Sequence, residues 1–141
     1  MKANIIYWTG SGNTEAMANL LENGIIKGGG EVTIKNVAEA SIEDIKNCDI
    51  VLLGSPAMGA EVIEEGEMEP FVESIESEVS GKKMILFGSY GWGTGEWMTL
   101  WEDRMESLGA ELLERDVIAN EAPEGNEANR LIEIGEKIAK I

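Results

Sequence analysis

The chain has 141 residues, of which 43% are hydrophobic, with 11 basic and 27 acidic side chains. We expect one globular domain over residues 1–141, and the net charge of −16 disfavours binding to nucleic acid or to an anionic membrane. The absence of histidine argues against hydrolase chemistry. A single cysteine excludes an internal disulfide, and no apolar run reaches the roughly 20 residues that cross a bilayer. We therefore expect a cytoplasmic protein.

Strand-like apolar runs alternate with helical patterns five times along the chain. The predicted strands are 4–8, 31–37, 49–54, 83–88 and 111–118. The predicted helices run from residue 13 to the glycines at 28–30, from 41 as a short helix, and over 69–79, 96–108 and 126–140. Mostly continuous apolar strands are typical of a parallel sheet covered by helices on both faces. The sequence therefore predicts an α/β fold.

Three segments that follow predicted strands are unlike ordinary connections. They are TGSGNT at 9–14, SPAMGAEV at 55–62 and GSYGWGTGEW at 88–97, after the first, third and fourth strands. Ligands of open parallel sheets bind beyond the carboxyl ends of the strands. We expect the three segments to form one binding site there.

The first segment has the composition of an anion-binding loop. It offers hydroxyl, amide and glycine backbone groups from Thr9, Gly10, Ser11, Gly12, Asn13 and Thr14. The next helix directs its free N–H groups into such a loop, which suits a phosphate, although a turn of this composition can also simply cap a helix. No Lys or Arg lies between Ala3 and Ile26, so we expect a phosphate that is held rather than transferred.

Two better-known phosphate loops do not match the first segment. A Walker loop needs a Lys directly after its last glycine, and Asn13 follows Gly12 instead. The dinucleotide fingerprint needs a third glycine where Glu15 stands. The ligand of this loop is therefore neither a nucleotide bound in the Walker manner nor a typical dinucleotide.

The other two segments offer groups for the faces of a flat ring. Trp92, at the tip of a glycine-rich loop, is predicted to stack on a planar ligand, and Met58 can lie against the opposite face or fill a gap under its loop. Gly59 can adopt positive φ in a turn, and Glu61 can accept a hydrogen bond from a ring N–H. Trp97 and Trp101 recur at helical spacing and are predicted to be core residues.

Together, YWTGSGNTEAM, PAMGAEV and FGSYGWGTGEWM resemble the corresponding motifs of flavodoxins, particularly the short-chain flavodoxins of anaerobic bacteria. The resemblance spans the whole chain. It implies a flavodoxin-like three-layer sandwich, with a five-stranded parallel sheet in the order 2-1-3-4-5 and FMN at the point where the strand order reverses.

The resemblance also implies roles for particular residues. The FMN phosphate would bind residues 9–14, Met58 and Trp92 would cover the inner and outer faces of the isoalloxazine ring, and Glu61 would reach its N3. The peptide that joins Gly59 and Ala60 would face N5. The remaining implied contacts are Ala57, Ser89, Tyr90, Gly91, Gly93 and, at the outer edge, Asn120.

The function implied is that of a low-potential one-electron carrier with non-covalently bound FMN, cycling mainly between semiquinone and hydroquinone, and not of an enzyme. The alternative is an FMN-dependent quinone or small-substrate reductase, which needs open space above the flavin. An acidic pair after the first strand would mark a phosphorylated receiver module, and Thr9 and Gly10 stand there instead.

The strong acidity of the chain predicts a basic redox partner that docks transiently beside the flavin, with no role for nucleic acid or membrane. The carboxylates expected at that surface are Glu61, Glu64, Glu65, Glu67 and Glu69. We expect a monomer, as suits a diffusing carrier, and no metal site. Ala60 replaces a residue that is often polar in the family. Because Ala resists positive φ, a type II turn is disfavoured, and we expect a type II′ turn in which Gly59 leads with positive φ.

Overall fold

The computed structural model describes all residues from Met1 to Ile141. Six strands alternate with five helices, except that β5 and β6 follow one another directly, and two 3₁₀ turns lie at Val37–Glu39 and Glu76–Glu78. The strands are β1 (Lys2–Tyr7), β2 (Glu31–Asn36), β3 (Ile50–Gly54), β4 (Lys83–Tyr90), β5 (Glu111–Leu112) and β6 (Val117–Asn120). The helices are α1 (Asn13–Lys27), α2 (Glu43–Lys46), α3 (Met68–Ile75), α4 (Glu96–Ser107) and α5 (Gly125–Ile138).

The strands form one parallel sheet in the order β2-β1-β3-β4-β5, with β6 also paired to β4, which confirms the predicted fold and strand order. β1 lies inside the sheet, next to the edge strand β2: Ile5 pairs with Ile34 on one side and with Leu52 on the other. The order therefore reverses between β1 and β3, and the carboxyl ends of these two strands open into the crevice where such sheets bind ligands.

Each face of the sheet carries its own hydrophobic core. Ile5, Leu52 and Ile85 face α1 and α5, and Val51 and Leu86 face α2, α3 and α4. Because successive side chains of a strand point to opposite faces, continuous apolar strands are needed to fill both cores. The two indole rings predicted to be core, Trp97 and Trp101, are buried.

The fifth strand differs from the prediction, since 111–118 is not one continuous strand. β4 pairs with β5 up to Met84 and with β6 from Phe87. Residues 85–86 of β4 therefore lie opposite the four residues 113–116 that connect β5 to β6. Side chains bind the displaced backbone: the Glu102 carboxylate accepts from the Asp116 N–H at 2.8 Å, and Arg130 donates to the carbonyls of Arg115 and Asp116. These contacts replace the lost ladder hydrogen bonds.

None of the helices has the length and apolar character needed to cross a membrane. The predicted and observed elements otherwise differ at their ends. β1 begins at Lys2 rather than residue 4, α3 spans Met68–Ile75 rather than 69–79, and β4 continues to Tyr90. The extension of β4 matters for the site, because it fixes Ser89 and Tyr90 at the carboxyl edge of the sheet.

Candidate functional site

A cleft of about 540 Å³ opens at the carboxyl ends of the central strands. It is bounded by the segments that follow β1, β3, β4 and β6. Its lining residues are Trp8, Gly10, Ser11, Asn13, Pro56, Ala57, Met58, Ser89, Tyr90, Gly91, Glu121 and Ala122. The three unusual segments of the sequence therefore meet at one place, the crevice predicted by the strand order.

The floor of the cleft at its β1 end is a loop with unpaired amides. The N–H groups of Gly10, Ser11, Thr14 and Glu15 make no hydrogen bond within the protein. Thr9 shapes the loop, because its Oγ1 accepts from the Gly12 N–H at 3.0 Å. Gly12 itself has φ of 98° and precedes α1, so the free amides lie at the positive end of a helix of 15 residues. This donor set suits a phosphate held by neutral groups.

A buried hydroxyl pair joins the loop to the sheet. Thr14 Oγ1 lies 2.9 Å from Ser89 Oγ, and both residues are buried. The Thr14 side chain therefore ties the first turn of α1 to the end of β4 and does not line the cleft. Its N–H, by contrast, is one of the free amides.

The segment after β3 forms a small hairpin at the cleft rim. Met58 N–H donates to Val62 O at 2.8 Å and Val62 N–H to Met58 O at 3.0 Å, which closes a loop of Gly59, Ala60 and Glu61. Gly59 has φ of 48°, and Ala60 keeps a negative φ, as the turn argument predicted. Glu61 also takes a positive φ, of 55°, which was not predicted because no local preference of Glu favours it.

Glu61 connects this hairpin to the loop after β4. Its Oε1 accepts from the Thr94 N–H at 3.2 Å, and it packs so closely on Gly93 that a Cβ there would lie 2.5 Å from Oε1. Trp92, on the same loop, is 69% exposed and does not line the cleft. The indole expected over the outer face of a flat ligand therefore stands at the rim in this structure.

Eight of the seventeen predicted site residues line the cleft. They are Gly10, Ser11, Asn13, Ala57, Met58, Ser89, Tyr90 and Gly91. The other nine lie in the same loops or at the end of β6 without lining the cleft: Thr9, Gly12, Thr14, Gly59, Ala60, Glu61, Trp92, Gly93 and Asn120.

Four lining residues were not predicted from the sequence: Trp8, Pro56, Glu121 and Ala122. Trp8 was assigned to the strand, whereas its indole lies beside the phosphate loop and donates from Nε1 to Glu67 at 3.2 Å. Glu121 has φ of 59°, and its N–H donates to Tyr90 O at 2.8 Å. Applying the carboxyl-end rule to the fifth strand, as to the others, would have found Glu121 and Ala122.

One predicted surface carboxylate is not at the surface. Glu64 is buried, and its carboxylate accepts from the N–H groups of Gly66, Glu67 and Met68 at 2.7 to 2.9 Å. It caps the start of α3, where free N–H groups need an acceptor. Its inclusion in an acidic docking surface was therefore wrong.

A second carboxylate, Glu15, lies in the first turn of α1 and binds the end of β1. It accepts from the Tyr7 hydroxyl at 2.6 Å, and this hydrogen bond, with burial, raises the pKa of Tyr7 to about 12. No Lys or Arg lines the cleft. Its one charged lining group is the carboxylate of Glu121.

Fold and site together define a class: a doubly wound α/β protein that binds a phosphate-bearing ligand at its switch point. The cleft fits FMN in two respects. The free amides beside Gly12 suit the phosphate, and the volume and the apolar Trp8, Ala57, Met58 and Tyr90 suit a flat heterocycle.

Comparisons with known proteins agree with this class. Residues 5–135 match the flavodoxin family model. The chain is 49% identical to a flavodoxin of Clostridium beijerinckii, over 97% of this chain and 99% of that one. It is 43% identical to a flavodoxin of Megasphaera elsdenii, over 96% and 97% of the two chains. The solution structure of two-electron reduced Megasphaera elsdenii flavodoxin superposes with a TM-score of 0.86 at 41% identity, covering 96% of this chain and 98% of that one.

The chain belongs to the flavodoxin family, and its cofactor is FMN. Flavodoxins are electron-transfer proteins that exchange electrons with partner proteins.

Proposed function

We propose that this chain, acting as one FMN-binding unit and as a monomer, is a low-potential one-electron carrier rather than an enzyme. In this proposal its FMN works mainly between the semiquinone and hydroquinone states and serves basic partner proteins. FMN supplies the redox chemistry; the protein supplies the binding groups, the acceptor for a flavin proton and the electrostatic environment.

The observation that carries the proposal is the charge of the cleft. No cation lines it, and Glu121 adds a carboxylate at its edge. A ring that gains negative charge on full reduction would meet like charge with no compensating Lys or Arg. Because charge in a poorly screened site is costly, the second electron is held weakly and leaves at low potential.

The hairpin loop supports one-electron stages. The carbonyl of Gly59 and the N–H of Ala60 make no hydrogen bond within the protein, so either group of this peptide is free to bind the flavin. We propose that the Gly59 carbonyl would accept a hydrogen bond from the flavin N5–H once N5 carries a proton. The positive φ of Gly59 and the free space around its Cα allow the peptide to reorient at low cost.

The remaining binding roles are proposals that combine the resemblance with the cleft. Residues 9–14 would hold the phosphate, with Met58 on the inner ring face, Trp92 on the outer face, and Ser89 to Gly91 with Gly93 along the ring edge. Glu61 would exchange its contact with Thr94 for the ring N3–H. Asn120 would stay at the outer rim, where its N–H donates to Glu127 at 3.0 Å.

The charge distribution supports docking of a basic partner at the cleft end. Cations gather at the opposite end of the sheet: Lys2 and Lys83 begin β1 and β4, and Lys27 and Lys137 lie in the last turns of α1 and α5. With a net charge of −16, this asymmetry would steer a basic protein toward the cleft. Electron-transfer rates with such a partner should fall steeply as salt is added.

A reductase remains a second candidate because of one observation, the 69% exposure of Trp92, which leaves the outer side of the cleft uncovered. Visible spectra recorded during stepwise anaerobic reduction of the FMN-loaded protein separate the two functions. A carrier passes through a blue, red-absorbing one-electron stage in high yield. Direct bleaching, together with turnover of a quinone in excess, would contradict the carrier function.

A further inference from the structure

A second, smaller groove lies beside the cleft, between the Met58–Val62 hairpin and α4. Its volume is about 120 Å³. Buried Ile63, Trp97 and Trp101 form its floor, and the exposed Val62 and Leu100 form its walls. The groove is apolar at its base and open to solvent.

The groove belongs to a larger apolar area on this side of the molecule. Six large hydrophobic side chains are exposed in the whole chain, and four of them, Met58, Val62, Trp92 and Leu100, lie on the groove walls or the cleft rim. Met58 and Val62 are joined by two backbone hydrogen bonds, so the cleft and the groove share one hairpin. Clustered exposed apolar groups with a polar rim mark interaction sites.

The rim of the groove is acidic. Glu61 lies at one end, and the exposed Glu96 lies on α4 four residues before Leu100. Asp103, three residues after Leu100, is already paired with Arg115 at 3.1 Å. The one cation at the groove, Arg104, is bound by both oxygens of Glu69 at 2.7 and 2.8 Å and by Glu76 at 3.3 Å. The charge of Arg104 is therefore compensated, and the carboxylates of Glu61 and Glu96 give the rim a net negative charge that faces an approaching partner.

We propose that this groove receives an apolar side chain of a basic redox partner whose Lys or Arg side chains surround that anchor. The proposal rests on the carrier function proposed above. Charge steers the encounter, and the anchor fixes the partner's orientation beside the cleft. The volume suits one aliphatic side chain, which fits the small interfaces of transient electron-transfer complexes.

Leu100→Ser tests the proposal, with Ile26→Ser as the matched control. The two residues are 55% and 59% exposed, both on helices, and Ile26 lies at the far end of α1. The probe is cytochrome c, a small basic haem protein, oxidising the reduced FMN-loaded variants over a range of ionic strengths. Leu100→Ser should lower the second-order rate constant about three- to tenfold at every ionic strength, with the salt dependence unchanged. Ile26→Ser should match the wild type.

A second readout does not depend on electron transfer. Titration of the ¹⁵N-labelled FMN-loaded protein with cytochrome c should shift the amide resonances of Val62, Ile63 and Leu100, and Leu100→Ser should weaken the binding. Equal rates and equal shifts for Leu100→Ser and wild type would overturn the proposal. So would a dimer of the wild type in sedimentation that Leu100→Ser dissociates, since the groove would then hold a second copy.

Failure of the carrier function gives a different pattern. In that case the wild type itself would lack a one-electron stage on reduction. If wild type and both variants show that stage with equal FMN affinity, any difference in rate belongs to the groove.

Discussion

Thr14 and Ser89, which are 75 residues apart, share a buried hydroxyl contact of 2.9 Å beneath the phosphate loop. Both residues are almost fully buried, and neither hydroxyl has another partner. The contact joins the first turn of α1 to the end of β4, which lie on either side of the cleft. The positions of the free amides and of the β4 loop are therefore coupled through one hydrogen bond.

A double-mutant cycle measures this coupling. Thr14→Val and Ser89→Ala should each lower the free energy of unfolding by about 1–2 kcal/mol, because each removes one hydroxyl and leaves the other buried without a partner. The double variant should be less destabilised than the sum of the two by about 1 kcal/mol. Urea unfolding of the FMN-free protein gives these values, and strict additivity would show that the two hydroxyls do not interact.

Gly59→Ala tests the hairpin. A Cβ at this position meets no atom within 4 Å, so the substitution changes only the cost of positive φ. We expect a lower yield of the one-electron stage during anaerobic reduction, with FMN still bound. Gly29→Ala is the control, since Gly29 also combines a positive φ, of 89°, with open space but lies at the far end of α1. Unchanged yield in Gly59→Ala would refute the role given to this peptide.

The contact between Tyr7 and Glu15 predicts a pH dependence of stability. The pKa of Tyr7 is raised from 10.0 to about 12 in the folded chain. Below pH 10 the phenol is protonated in both states and its contribution is complete; between 10 and 12 the unfolded chain loses its proton first, so the stability falls. The difference in free energy of unfolding between wild type and Tyr7→Phe should be constant up to about pH 9 and shrink above it. A constant difference up to pH 12 would contradict the assignment.

Glu64 should contribute to the stability of its loop, whereas the adjacent Glu65 should not. Glu64→Gln replaces one of the two carboxylate oxygens by an amide donor that faces the Gly66 N–H, so we expect the free energy of unfolding to fall by about 1–3 kcal/mol. Glu65→Gln, a change of the same kind at an exposed position, should alter it by less than about 0.5 kcal/mol. Equal effects of the two substitutions would remove the capping role.

The sheet and the location of the cleft could be predicted from the sequence because the signals were local. Continuous apolar strands indicated two covered faces, and the glycine-rich segment before α1 indicated free amides at a helix start. Gly59 and Ala60 behaved as their backbone preferences require. Each of these features depends on a few neighbouring residues.

The features that could not be predicted depend on contacts between distant residues. The break in the fifth strand is held by Glu102 and Arg130, from two helices on opposite faces of the sheet. Glu64 is buried because its loop folds back over the carboxylate, which binds three N–H groups of the residues that follow. Its acidic neighbours in the sequence had led to the prediction of a surface residue. Trp8 was assigned to a strand because it continues an apolar run, and its contact with Glu67, 59 residues away, leaves no local pattern.

In the carrier function proposed here, a cation-free, acidic cleft separates the two electrons of FMN and holds the second one weakly. Spectroelectrochemical titration of the FMN-loaded protein, beside free FMN in the same buffer, measures both one-electron potentials. We expect two resolved steps, with the second potential below that of free FMN. A single two-electron step, or a second potential at or above that of free FMN, would contradict it.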